Sequence, residues 1–216
     1  MSDMPSQDNN PKGMTSRFTH IGFAVKAVAG MMVILLSLIA LPLGVLGLFL
    51  FLYLHLLLHP IKRSLHEDDI TMITAPIDGI VTDIRQTSSG CHIDINASLL
   101  ASQICYAPIG GHVIDKIWID GTYLPEHDPL ARTTNARYDL LIQAYHDEVV
   151  TVSLYGTAIT RYLFCPHAEG QSIAVGEPCG FGLIQSIVTL RLPASYYVMV
   201  KQGQAVFATQ TKIAFR

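Results

Sequence analysis

Residues Ala75–Asp83 read APIDGIVTD and residues Ala107–Asp115 read APIGGHVID, one phrase written twice, 32 residues apart in a chain of 216. Proline fixes one backbone angle, and a glycine two or three residues later permits positive φ. The pattern AP-x-x-G-x-V therefore reads as a strand end, a tight turn and a new strand. Two copies predict two equivalent hairpins in a pseudo-symmetric β fold. The copies differ where chemistry could enter: the first carries Asp78, the second Gly110. By residue type alone Asp78 is a turn residue, since its carboxylate suits neighbouring backbone N–H groups.

The surrounding sequence agrees with the hairpins. GIVTDI, HVIDKIWI, DLLIQAY, EVVTVSLY, IVTLRL and YYVMV are short runs rich in β-branched and aromatic residues, and several alternate apolar and polar. The triplets SSG, IDG, AEG and KQG supply the turns between them. Residues 130–138 have room for one helical turn. The reading for 64–216 is mainly β, a compact sandwich or barrel-like domain.

The N-terminal part differs in kind. From Ala27 to Leu58 run 32 residues without Asp, Glu, Lys or Arg. One straight helix of that length would measure about 48 Å against about 30 Å of bilayer hydrocarbon. The sequence LPLG (Leu41–Gly44) offers a break, so the expectation is a hydrophobic membrane helix, either tilted or folded into a shallow helical hairpin. Arg17 and Lys26 before the run and Lys62 and Arg63 after it favour cytoplasmic placement of both ends. The run is too long for a secretory signal peptide. The expected organisation is a disordered polar tail (1–17), a membrane anchor (18–63) and the β domain (64–216). The β domain then faces the cytoplasm from a bacterial-type cytoplasmic membrane.

The net charge of −3 argues against a nucleic-acid partner. Cys91, Cys105, Cys165 and Cys179 show no CxxC and no zinc spacing, so reduced thiols and no metal are expected.

The soluble part resembles the phosphatidylserine decarboxylase family, in particular its short bacterial form. APIDG resembles that family's SPADG, and APIGGHVIDKIWIDGTYLP resembles APVSGTVVEVRYRPGKFLP. TTNARYDLLI resembles LENERNEVVI, with Asn135 and Arg137 retained. The stretch from Cys165 to Pro193 is similar to the family's terminal segment. The resemblance implies self-cleavage between Gln185 and Ser186, in which the serine attacks the preceding carbonyl and becomes a pyruvoyl group. That group acts as cofactor and electron sink for loss of CO2. It further implies Asp78 as the catalytic aspartate and Asn135 and Arg137 as substrate-binding residues, with Arg161 and Arg191 as other cations. The family's catalytic histidine falls on Gln103, and its glycine before the serine falls on Gln185. An amide cannot serve as a general base, so His92, His112 and His146 are the candidates to replace the histidine.

The function expected from this resemblance is pyruvoyl-dependent conversion of phosphatidylserine to phosphatidylethanolamine in phospholipid biosynthesis. The expected partners are a membrane phospholipid, the two chains left by the cut, and a second copy of the protein. Two alternatives come from other classes. One is a degenerate, non-cleaving homologue that binds lipid or a partner from its membrane anchor. The other is a lipoyl/biotinyl-like or membrane-fusion adaptor domain, which would need a carrier lysine at a hairpin tip or a long coiled coil.

Overall fold

The computed structural model describes residues 25–35, 37–38, 41–57, 71–98, 101–144, 147–182 and 186–216. The expected tail at 1–17, as well as Gln185 and His146, lies outside the described residues. The chain divides into two compact units at His55/Leu56.

In the first unit, helix α1 (helical at 25–35 and 37–38) is followed by α2 (Leu41–Leu57). The two run side by side in opposite directions. A Cβ on Gly44 would fall 2.9 Å from the Ser37 Cα, and one on Gly30 would fall 3.8 Å from the Phe51 ring. Gly44 is thus what allows close approach at the turn end of the pair, and Pro42 is accommodated in the first turn of α2. The expectation of a membrane-spanning helix is corrected here. Among the described residues no helix is long and apolar enough to cross a membrane. The 17 residues of α2 reach about 25 Å. Within the described residues the apolar run holds two antiparallel helices.

The second unit is mainly β. Its strands are β1 (Met72–Thr74), β2 (Gly79–Thr87), β3 (Gly90–Ala97), β4 (Ile104–Tyr106), β5 (Gly111–Ile119), β6 (Arg137–Ala144), β7 (Val149–Tyr155), β8 (Leu163–Phe164), β9 (Ser172–Ile173), β10 (Pro178–Gly182), β11 (Ile187–Pro193), β12 (Tyr197–Val198), β13 (Ala205–Val206) and β14 (Lys212–Phe215). One helical turn, α3 (Ala131–Thr134), lies within the stretch that left room for it. The large sheet has the order β13-β2-β3-β11-β7-β6-β5-β9; two three-stranded sheets have the orders β1-β14-β12 and β4-β10-β8.

That strand order is a palindrome of equivalents. β13 matches β9, β2 matches β5, β3 matches β6 and β11 matches β7. The repeated phrase is the visible trace of this duplication. β2 breaks register between Val81 and Asp83, and β5 breaks it between Val113 and Asp115, the same place in each copy. Asp83 accepts from Ile84 N at 2.9 Å and Asp115 from Lys116 N at 2.7 Å, so each aspartate caps its own bulge. Gly203 N donates to Val81 O, and Gly170 N to Val113 O. These two glycines hold left-handed turns, at φ 82° and 80°. The glycines of the repeated phrase itself serve another end than the one expected from φ. Neither has positive φ. A Cβ on Gly79 would lie 2.2 Å from Asn96 O, and one on Gly111 2.0 Å from Gln143 O, so glycine is needed for the strand crossing.

One half, β4 through β10, is continuous. The other is split into β1–β3 and β11–β14. In the continuous half β6 and β7 are consecutive in the chain and paired, with Ala144 N donating to Glu148 O at 2.8 Å. In the split half the equivalent bond joins Ala97 N to Ser186 O at 2.9 Å. The second half is therefore inserted into the hairpin between β3 and β11, and the joints lie beside Ser98 and Ser186. Strand β3 (GCHIDINA) was absent from the sequence reading. It is a central strand buried on both faces, and its Asp94 and Asn96 hide it from an apolar pattern.

The apolar face of the large sheet packs against the two small sheets through Ile93, Ile95, Ile142, Leu190 and Ile213, among others. All four cysteines are free and buried. Cys105 and Cys179 face each other across β4 and β10 at Sγ–Sγ 3.8 Å, and burial pushes the Cys165 thiol up to about 11.

Candidate active site

The two joints of the insertion meet at one end of β3. Gly79 pairs with Ala97 on one side, and Ala97 N holds Ser186 O on the other. Asp78 and Ser186 therefore flank the same strand, with backbones about 10 Å apart, two strand spacings. Asp78 is buried. Its carbonyl accepts from Ser98 N at 3.1 Å, and its Oδ1 accepts from Ala208 N at 2.7 Å. This resolves the difference between the two copies of the phrase. Both are strand crossings, and only the first carries a carboxylate, which Ala208 N holds; Gly110 has no such group.

Ser186 is fully buried, and among the described residues its Oγ has no hydrogen-bond partner. Buried hydroxyls are nearly always bonded, so this one stands out. Its seat is made by Gly182. A Cβ at that position would lie 2.0 Å from Ser186 Oγ and 3.2 Å from Thr160 Cγ2. Thr160 closes the site from a tight turn in which Thr157 and Thr160 bond each other. Gln103 completes the ring. It is fully buried, its Nε2 donates to Ser98 O at 2.7 Å and Ala101 O at 3.1 Å, and its carbonyl accepts from Gly182 N at 3.4 Å. Its Oε1 has no partner among the described residues.

Comparison with known proteins adds a name to this geometry. The family model described as phosphatidylserine decarboxylase matches residues 54–214. The chain belongs to the phosphatidylserine decarboxylase family. It is 27% identical over 203 residues to a phosphatidylserine decarboxylase proenzyme of Ehrlichia canis, covering 90% of this chain and 83% of that one. A proenzyme of the same name from Carboxydothermus hydrogenoformans is 26% identical over 200 residues, covering 89% and 93%. A putative archaetidylserine decarboxylase proenzyme of Methanocaldococcus jannaschii is 30% identical over 133 residues, covering 61% and 64%. The decarboxylase family thus accounts for the whole β unit and the adjoining end of α2.

The other expected site residues are placed less directly. Arg137 begins β6, at the same end of the sheet, in the row Arg137–Tyr155–Ile187–Asn96. Its guanidinium lies over the Tyr155 ring at 5.5 Å, and its Nε bonds Asp139 at 3.2 Å. Asn135 is fully buried with its amide capacity used. Oδ1 accepts from Leu124 N and Thr122 Oγ1, and Nδ2 donates to Leu124 O and Gly156 O. Arg161 follows Thr160 and lies over the Tyr123 ring at 5.7 Å. Arg191 sits five residues along β11 from Ser186, about 17 Å away.

The described candidates for a replacement histidine are not at the ring. His112 is on β5, near the opposite edge of the large sheet, bonded to Ser172 Oγ at 3.1 Å. His92 pairs with Arg85 and Arg191. Its pKa is lowered by burial first and then by those two arginines. Gly182 and Thr160 were missed by sequence reasoning. The only local signal was the spacing Gly182-x-x-x-Ser186, which becomes informative once Ser186 Oγ is seen to lie against Gly182.

Proposed function

We propose that this chain is a precursor that cuts itself between Gln185 and Ser186 and then decarboxylates a membrane lipid bearing a phosphoserine headgroup. The observation that carries the reading is the Ser186 hydroxyl, buried and without a partner among the described residues, in a seat that Gly182 leaves open, across β3 from Asp78. In the cut, Ser186 Oγ bonds to the Gln185 carbonyl carbon, the C–N bond breaks, and the hydroxyl proton goes to the departing nitrogen. Elimination then frees the Gln185 carboxylate. Hydrolysis of the remaining enamine takes up water, releases ammonia and leaves a pyruvoyl end. The site suits that group, because it is buried, walled by a glycine, and anchored from Ala97 N to Ser186 O, a bond that survives the cut. When formed, the pyruvoyl carbonyls supply the electron sink for release of CO2.

The chain's own residues would do the rest. Asp78, held by Ala208 N and across β3 from Ser186, would move a proton there. Arg161 and Arg137 are cations at this end of the sheet whose guanidinium groups would suit a phosphodiester, whereas Arg132 is committed to Asp94, Thr82 and Asn96. Asn135 has no donor or acceptor left for a ligand, and we assign it to holding the 121–136 segment rather than the substrate. Ile80 and Phe207 beside Asp78, and Ile159 and Tyr162 beside Thr160, are each more than half exposed, and such apolar side chains would suit acyl chains. The side chains of α1 and α2 are apolar on nearly every face and exposed, which fits seating in a bilayer from the cytoplasmic side.

The test is intact mass on the purified full-length protein. Fragments 1–185 and 186–216 are expected, the smaller one blocked at its N-terminus and reducible by borohydride, and Ser186→Ala should abolish both. An uncut chain would instead mark a non-cleaving homologue that binds lipid.

A further inference from the structure

Two buried polar atoms near Gly182 lack partners among the described residues; they are not bonded to each other either, yet they are complementary, and a turn of the Ser186 hydroxyl or of the Gln103 side chain would be needed to join them. Gln103 Oε1 can only accept, and Ser186 Oγ–H can donate. The orientation of the Gln103 amide follows from its contacts. Nε2 is committed to two carbonyls, Ser98 O and Ala101 O, which leaves Oε1 as the end turned away from them. Gly182 lies against both residues: its N–H meets the main-chain carbonyl of Gln103 at 3.4 Å, and Ser186 Oγ occupies the space where its side chain would be. Ser98 ties the same amide to the joint, because its neighbour Ala97 holds Ser186 O.

We infer that Gln103 is the positioning residue for self-cleavage: its Oε1 receives the Ser186 hydroxyl and aims the oxygen at the Gln185 carbonyl. This rests on the self-cleavage reading above. An amide oxygen holds a hydroxyl in one rotamer without taking its proton, so the proton passes to the departing nitrogen. Two consequences follow. Cleavage in the wild-type protein draws no pH dependence from position 103. Placing an imidazole there adds a group that titrates near 6.5 and can accept the proton.

The experiment is a cleavage time course by intact mass from pH 5.5 to 8.5 for the wild type, Gln103→His, Gln103→Glu and Gln103→Met, all full length, with a urea midpoint for each. The expected result has three parts. Gln103→Met, which keeps the volume but removes the acceptor, slows cleavage at least about tenfold. Gln103→Glu retains cleavage, since an acceptor oxygen remains. Gln103→His cleaves with a sigmoidal pH profile, faster above its midpoint. Folded variants that all cleave at the wild-type rate, with the wild-type profile, overturn the positioning role and leave self-cleavage standing. Cleavage by Gln103→His alone overturns it too, because the amide then supports no reaction. If no protein cuts, the self-cleavage reading fails, and this inference fails with it. Should Gln103→Met not fold, the pH profile of Gln103→His against the wild type still decides.

Discussion

Replacing Gly182 by alanine is the sharpest perturbation of the proposed chemistry. The new Cβ would sit 2.0 Å from Ser186 Oγ and 3.1 Å from Ser186 Cβ, where ordinary contact begins at 3.4 Å. The oxygen must therefore withdraw by about 1.4 Å. The Ser186 backbone cannot follow easily, because its carbonyl is held by Ala97 N at 2.9 Å and Ile187 is already in register with Asn96 and Tyr155. The hydroxyl is left with rotation into another staggered well, which turns it away from its present line. A misplacement of about 1 Å costs roughly 100-fold when reaction needs atoms aligned at 3–3.5 Å. Gly182→Ala should thus slow the appearance of fragments 1–185 and 186–216 by about 100-fold or more. Overpacking itself should cost only about 1–3 kcal/mol. Gly180→Ala is the control in the same strand. Its Cβ would meet Leu154 Cδ2 at 3.2 Å and nothing of Ser186, so it should strain the core without slowing the cut. The assay is quantitative intact mass over time, paired with a urea midpoint. If folded Gly182→Ala cuts within about threefold of the wild type, the seat described here is not the one from which Ser186 reacts.

Further outcomes are expected from four other positions. Asp94 is fully buried between Arg132 Nε at 2.7 Å, an ion pair without an aligned hydrogen bond, and Thr189 Oγ1 at 2.6 Å, so Asp94→Ala should cost about 3–5 kcal/mol of unfolding free energy. Arg85→Ala, which removes the half-exposed partner of the same carboxylate, should cost under about 1 kcal/mol by the same denaturant titration. His167 is buried with Nε2 on Pro178 O at 3.0 Å, and desolvation lowers its pKa. The unfolded chain therefore takes up the proton first, and stability should fall by up to about 1.4 kcal/mol per unit as pH drops below about 6.5; urea midpoints of His167→Gln should show a flatter acid limb. Asn135→Ala strands the Leu124 and Gly156 backbone groups and should destabilise by at least about 2 kcal/mol. Its KM for lipid, measured on folded protein, should change far less than that of Arg161→Ala.

Much of the architecture was legible locally. The repeated AP-x-x-G-x-V phrase marked two equivalent crossings because proline and glycine constrain the backbone at once, whatever surrounds them. Strands β2, β5, β6, β7 and β11 were visible from β-branched runs. β3 was not, since a central strand that buries Asp94 against Arg132 carries charges where an apolar pattern is expected. Asp78 and Ser186 were reached through family likeness, and the difference between Asp78 and Gly110 was readable from the repeat. The repeat could not show why that difference matters.

The sequence by itself determined the duplication, the apolar N-terminal run and the β character of the remainder, all of which depend on neighbouring residues. Only the tertiary structure decided that one half is inserted into the β3–β11 hairpin of the other. It also decided that Asp78 bonds Ala208, 130 residues away, and that Gly182 leaves room for the Ser186 hydroxyl. The physical reason is that spacing along a chain specifies hydrogen bonds within an element. A site assembled at the joints of an insertion depends on contacts between segments with no fixed spacing at all.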